Sequence, residues 1–160
     1  MRPDAGHKPT LHLTCGLPGS GKTTLARGLA VERDAQRFTK DEWVLALGGD
    51  LYDDQLRVRV EAQLIELAFE LLAAGRSCIL DFGLWSREER DALRLGARGH
   101  GVRVELHVLD VELDGLVRRS AKRYADAPHT TAEISAEQLA IWASTFETPS
   151  DAERHLFDSA

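Results

Sequence analysis

The residues most committed to chemistry form one run, Gly16-Leu17-Pro18-Gly19-Ser20-Gly21-Lys22-Thr23. It fits G-x-x-x-x-G-K-[ST] at every fixed position, the pattern of a phosphate-binding loop. Glycines let the backbone curl until successive N–H groups converge on phosphate oxygens, and a following helix adds the positive end of its dipole. Gly16, Pro18, Gly19, Ser20, Gly21, Lys22, Thr23 and Thr24 are therefore the expected nucleotide-binding residues. Lys22 is expected to reach the terminal phosphates, and Thr23 to ligate Mg²⁺ beside ATP.

Binding a phosphate does not say what becomes of it. An N-K-x-D stretch of the kind that reads guanine is missing from the later part of the chain, since Thr39-Lys40-Asp41-Glu42 has the wrong residues and comes too early. Asp81-Phe82-Gly83 imitates a protein-kinase triplet, but no H-R-D loop accompanies it. Asp41 offers two readings, a general base for an acceptor hydroxyl or a simple helix cap. Arg119 and Arg123, four apart, share a helix face before a loop. They are either a pair that neutralises charge on a transferring phosphoryl group or a solvated basic face. Trp43 and Trp85 adjoin Asp41 and Asp81 and are candidate aromatic walls for an acceptor, or else core residues.

These residues need elements to hold them. Leu11 to Cys15 reads as a strand, Thr23 to Glu32 as a helix with Leu25, Ala26, Leu29 and Ala30 on one face, and Gln36 to Thr39 as a short strand. Helices are expected over 41–47 and 53–74. Ser77 to Leu80 is an apolar run ending at Asp81, as a buried parallel strand does. Ser86 and Glu89 have capping-box spacing for a helix to about Arg98, Val102 to Val108 alternates as a strand, and helices follow over 113–124 and 135–146. His155 to Asp158 is expected as a last strand. Strands separated by helices imply an α/β fold, whose ligands bind at the carboxyl ends of the strands.

The length of 160 residues suits one domain, expected over 1–160 with 1–9 a disordered tail and a lid at about 119–134. A net charge of −6 argues against wholesale nucleic-acid binding. The chain has neither an apolar run of membrane-spanning length nor a signal-peptide pattern at its start, so it is expected in the cytoplasm, without a membrane partner. Cys15 and Cys78 lie in apolar runs and read as reduced, buried thiols. The histidines form no H-x-x-x-H pair and have no cysteine at zinc spacing, so no structural zinc is expected.

Taken together, Gly16 to Thr24, Asp41, Asp81 and the Arg119/Arg123 pair resemble the small P-loop kinases grouped around polynucleotide kinase and chloramphenicol phosphotransferase, with zeta toxins more distant. The similarity runs from about Leu11 to Glu147. It implies a P-loop NTPase three-layer αβα sandwich with a parallel sheet of order 2-3-1-4-5. It also implies that Asp41 is the general base, that Asp81 organises the acceptor side, and that Arg119 and Arg123 grip phosphates. Polynucleotide kinase has an arginine three residues after its base, where this chain has Val44.

Residues 41–56 hold Asp41, Glu42, Asp50, Asp53 and Asp54 without a Lys or Arg, an acidic rim that would repel an anionic acceptor. Against this, Arg87, Arg90, Arg94 and Arg98 recur at helical spacing and would form a basic stripe able to track a nucleic-acid backbone. The expectation is an ATP- and Mg²⁺-dependent phosphotransferase with Lys22, Asp41, Arg119 and Arg123 as catalytic residues. Its expected acceptor is a small, non-anionic molecule bound near Asp41, Trp43, Asp81 and Trp85. A polynucleotide or nucleoside 5′-hydroxyl kinase and a regulatory ATPase module are the alternatives.

Overall fold

The computed structural model describes residues 8–159, so most of the expected tail at 1–9 lies outside the described residues. The strands are β1 (Thr10–Cys15), β2 (Gln36–Phe38), β3 (Cys78–Gly83) and β4 (Arg103–Val108). All pair in parallel, in the order β2-β3-β1-β4. The helices are α1 (Lys22–Glu32), α2 (Lys40–Ala46), α3 (Asp54–Ala73), α4 (Arg87–Gly99), α5 (Leu113–Asp126), α6 (Ala136–Thr145) and α7 (Asp151–Arg154).

Strand alternation divides the core. Leu11, Leu13, Leu80 and Val104 meet Val60, Leu64, Ala68 and Leu72 of α3 and Leu93 and Ala97 of α4. Ile79 points to the other face, against Ala26 and Leu29 of α1. The four-residue spacing along α3 buries one stripe, while the Asp53 carboxylate caps its start by accepting from Leu56 N at 2.9 Å. A third cluster, built on Leu17, Leu116 and Leu139, joins the phosphate-loop segment to α5 and α6.

Two expectations change. The four strands take the first four places of the expected order, but residues 155–158 form no strand among the described residues. Ser150 instead caps α7 by accepting from Glu153 N, and Phe157 is buried in the α3–α4 core. Asp158 bonds the sheet edge, its N–H donating to Val104 O at 2.8 Å and its carboxylate accepting from Val104 N at 2.7 Å.

Nor is the α4 arginine row a solvent-facing track. Arg90 is fully buried and bonds Glu153 at 2.6 and 3.2 Å, Leu84 O at 2.9 Å and Glu147 O at 2.8 Å. Arg98 pairs with Asp158, and Arg87 and Arg94 both pair with Asp91. Arg90 and Arg98 thus hold the C-terminal segment against α4, while Arg87 and Arg94 pair within α4. Arg90 is stable there because a bidentate carboxylate and two carbonyls answer its donors, the condition for burying a guanidinium.

Candidate active site

The loop after β1 folds as its glycines require. Gly19 and Gly21 have φ of 84° and 97°, in the left-handed region that disfavours a side chain. A Cβ on Gly19 would also stand 2.7 Å from Ser120 Oγ and 2.9 Å from Leu116 O, so α5 lies directly on the loop. Ser20 Oγ is buried with no hydrogen-bond partner. Lys22 Nζ donates to Leu17 O at 2.8 Å, across its own loop. An unsatisfied hydroxyl and a curled-back ammonium at the start of α1 are donors suited to phosphate oxygens, so the residues fit a nucleotide's phosphate chain.

Asp81 stands against the start of α1, bonded to the loop threonine. Its side chain is almost fully buried, with Thr14 Oγ1 donating to Oδ1 at 3.1 Å, Thr23 Oγ1 to Oδ2 at 3.0 Å and Arg37 Nη1 to Oδ2 at 3.3 Å. Thr23 and Asp81 together offer the hard oxygen ligands that Mg²⁺ prefers.

Asp41 sits in the first turn of α2, whose cap position is Thr39. Its half-exposed carboxylate accepts from Arg57 Nη1 of α3 at 2.6 Å instead of closing a cap. Lys22 feels both carboxylates. Burial pushes its ammonium down to about 8, Asp81 and Asp41 draw it up, and Arg123 presses it down further. The four sequence-expected charges Lys22, Asp41, Asp81 and Arg123 are thus brought within electrostatic reach of one point. Arg119 lines a cavity of about 660 Å³ over Gly21, Thr24, Leu25 and Gly28, beside the loop.

The acidic rim is not bare. Arg57 answers Asp41, while Arg37 and Arg27 reach Glu42 at 2.6 and 3.2 Å. Burial alone would raise the Glu42 carboxyl, but these two guanidinium groups hold it below its ordinary value. Asp53 is spent on capping α3, and Asp50 accepts from Tyr52 N. Asp41 and Glu42 are thus paired with cations from outside residues 41–56, whereas Asp50, Asp53 and Asp54 have no ion-pair partner among the described residues, so the rim keeps a net negative charge.

The two tryptophans pack on aromatic neighbours. Trp43 packs on Phe38, ring centroids 6.3 Å apart, and borders a groove of about 410 Å³ with Leu47, Val60, Leu64 and Leu67. Trp85 packs on Trp142 of α6 at 5.4 Å, within the α5–α6 cluster. It does approach the loop, its Nε1 lying 3.1 Å from where a Cβ on Gly83 would be, with Lys22 Cε at 3.5 Å from the same point. Above the cleft, Glu133 N in the α5–α6 connection donates to Tyr52 Oη at 3.1 Å, joining the expected lid to the loop before α3. Arg37, Arg57 and Tyr52 are functional candidates that no local motif marks.

A glycine cradle between a central parallel strand and a helix, with a buried aspartate on the next strand bonded to the loop threonine, defines a P-loop protein. The family model described as an AAA domain matches residues 11–149, and the chain belongs to that family. The uncharacterized protein Rv2004c of Mycobacterium tuberculosis is 35% identical over 150 residues, covering 82% of this chain and 30% of that one. A Mycobacterium bovis protein, Mb2027c, matches to the same extent. The chain therefore spans about 30% of the length of these curated relatives.

Among solved structures, the Pnkp1/Rnl/Hen1 RNA repair complex contains a chain of TM-score 0.75 and 21% identity, covering 99% of this chain and 49% of that one. A gluconokinase from Sinorhizobium meliloti gives 0.61 and 21%, covering 92% and 81%. A sugar kinase from Janibacter gives 0.60 and 24%, covering 92% and 82%. At these identities the likeness establishes the fold, that of the P-loop kinases. No helix among the described residues is long and apolar enough to cross a membrane.

Proposed function

We propose that this chain transfers the γ-phosphoryl group of ATP to a hydroxyl of a small molecule. The observation that carries this reading is the phosphate loop itself, with Ser20 Oγ buried and unpartnered, Lys22 Nζ turned onto Leu17 O and Thr23 Oγ1 donating to the buried Asp81 carboxylate. Asp41, aimed by Arg57, takes the hydroxyl proton as the acceptor oxygen bonds the γ-phosphorus and the bond from phosphorus to the β-γ bridging oxygen breaks. Lys22 and the loop N–H groups hold the departing diphosphate. Arg123 neutralises charge on the transferring group, and Arg119 closes over the nucleotide side beside Gly21 and Thr24. Thr23 and Asp81 would hold Mg²⁺, which when bound would supply charge neutralisation on the phosphates.

The negative charge left on the rim at Asp50, Asp53 and Asp54 favours a non-anionic acceptor. Trp85 remains a candidate acceptor-side wall, whereas Trp43 is assigned no acceptor contact. The reading takes the chain as one catalytic domain with its lid at about 119–134. It sets the reaction in the cytoplasm, in keeping with the buried free thiols of Cys15 and Cys78. A polynucleotide 5′-hydroxyl kinase is the second reading, favoured by the match of nearly the whole chain to a component of an RNA repair complex. The internal use of the α4 arginines weighs against it. Asp41→Asn tests the mechanism: transfer should fall by about 10²–10⁴-fold with ATP affinity retained. Full activity in that variant would remove Asp41 from the chemistry.

A further inference from the structure

His12 on β1 and Glu105 and His107 on β4 face the same side of the sheet, because β1 and β4 are in parallel register with His12 opposite Glu105 and Thr14 opposite His107. Three potential ligand atoms converge there. His12 Nδ1 is 3.2 Å from His107 Nε2 and 3.1 Å from Glu105 Oε2, and His107 Nε2 is 3.8 Å from the same oxygen. Ligand atoms about 2.0–2.2 Å from a tetrahedral Zn²⁺ stand about 3.3–3.6 Å apart, and the three separations bracket that spacing.

A second observation points to a missing cation. Glu105 is 5% exposed, and its Oε2 is buried without any hydrogen bond although two imidazole nitrogens face it. Its other oxygen lies 3.6 Å from Arg103 Nη2, so the orphaned atom is the one aimed into the cluster. A buried carboxylate oxygen left unpaired is costly, and a single imidazole proton can serve only one of the three atom pairs.

We propose that His12, Glu105 and His107 form a binding site for a divalent cation of the zinc class, separate from the nucleotide site, that pins the edge strand β4 to β1 below the phosphate loop. Two imidazoles and one carboxylate suit Zn²⁺, Co²⁺, Ni²⁺ or Fe²⁺, whereas Mg²⁺ prefers all-oxygen sites. The partly exposed His107 gives the ion a route in and leaves a fourth position for water.

The test uses metal-stripped full-length protein without nucleotide, titrated with Co²⁺ and followed by visible absorption, then challenged with Zn²⁺. One equivalent of Co²⁺ should bind with the intense bands of four- or five-coordination, Zn²⁺ should displace it, and Zn²⁺ should raise Tm where Mg²⁺ does not. Glu105→Gln, which keeps the side-chain volume, and His107→Ala should each weaken binding by more than about 10-fold and abolish the Zn²⁺-dependent Tm rise. If His107→Ala fails to fold, Glu105→Gln decides alone. No Co²⁺ binding by the wild type, or binding unaltered in Glu105→Gln, overturns the proposal.

Discussion

Arg57 Nη1 meets Asp41 Oδ1 at 2.6 Å and joins the first turns of α3 and α2 at the mouth of the cleft. The pair is partly exposed, with side chains 29% and 50% accessible, so its worth to stability is small. Its worth to chemistry is orientation. Arg57→Ala should lower phosphoryl transfer by about 10–100-fold, the scale of a misplaced reacting group, with ATP affinity unchanged. Arg57→Lys should rescue part of the loss. A variant whose ATP affinity falls in parallel with its rate would assign Arg57 to nucleotide binding instead.

In the proposed mechanism Asp81 and Thr23 hold Mg²⁺ together, linked by the 3.0 Å hydrogen bond from Thr23 Oγ1 to Asp81 Oδ2. Asp81→Asn keeps the shape but removes the charge facing the Thr23 hydroxyl, so the Mg²⁺ concentration for half-maximal turnover should rise about 10-fold or more. A Mg²⁺ titration of turnover checks this. An unchanged requirement with a changed response to acceptor concentration would move Asp81 to the acceptor side.

The contiguous part of the site was legible because a phosphate loop is a local structure: one strand, one turn and one helix in sequence. Arg57 was not, since its partner lies in another helix and only the packing of α2 on α3 brings them together. Arg90 reads as solvent-facing from helical spacing, and its burial is decided by Glu153, 63 residues away. Residues 155–158 resemble a strand over too few positions, whereas the S-x-x-E spacing of Ser150 and Glu153 matches the cap of α7. His12, Glu105 and His107 carry no zinc-type spacing because strand register, which no local pattern fixes, assembles them.

The Lys22 ammonium gives ATP binding a pH dependence of known sign. Its free-state pKa is about 8, lowered chiefly by burial, and bound phosphate anions favour the protonated form. Below about 8 the ammonium is already charged and affinity should be level. As pH rises through about 8, binding must take up a proton, so affinity should weaken by up to about tenfold per pH unit. Kd for Mg·ATP measured across that range checks it, and a level profile to well above 9 would contradict the burial of Lys22.

Breaking the Arg90–Glu153 pair should show its structural weight. Glu153→Ala leaves a fully buried guanidinium without its carboxylate and should cost about 3–5 kcal/mol in urea unfolding. Glu153→Gln should cost less, since an amide oxygen still accepts. A cost under about 1 kcal/mol for Glu153→Ala would mean that the C-terminal segment is not held by Arg90.

The central claim is that the γ-phosphoryl group passes to a small hydroxyl acceptor. Its most direct test is a transfer assay with γ-labelled ATP and Mg²⁺, offering neutral glycosides, sugar acids, hydroxyl-bearing antibiotics and 5′-hydroxyl oligonucleotides in parallel. The account predicts label on at least one small-molecule acceptor, lost in Lys22→Ala and strongly reduced in Asp41→Asn. Label on the oligonucleotide alone, or release of phosphate to water with no acceptor labelled, would contradict it.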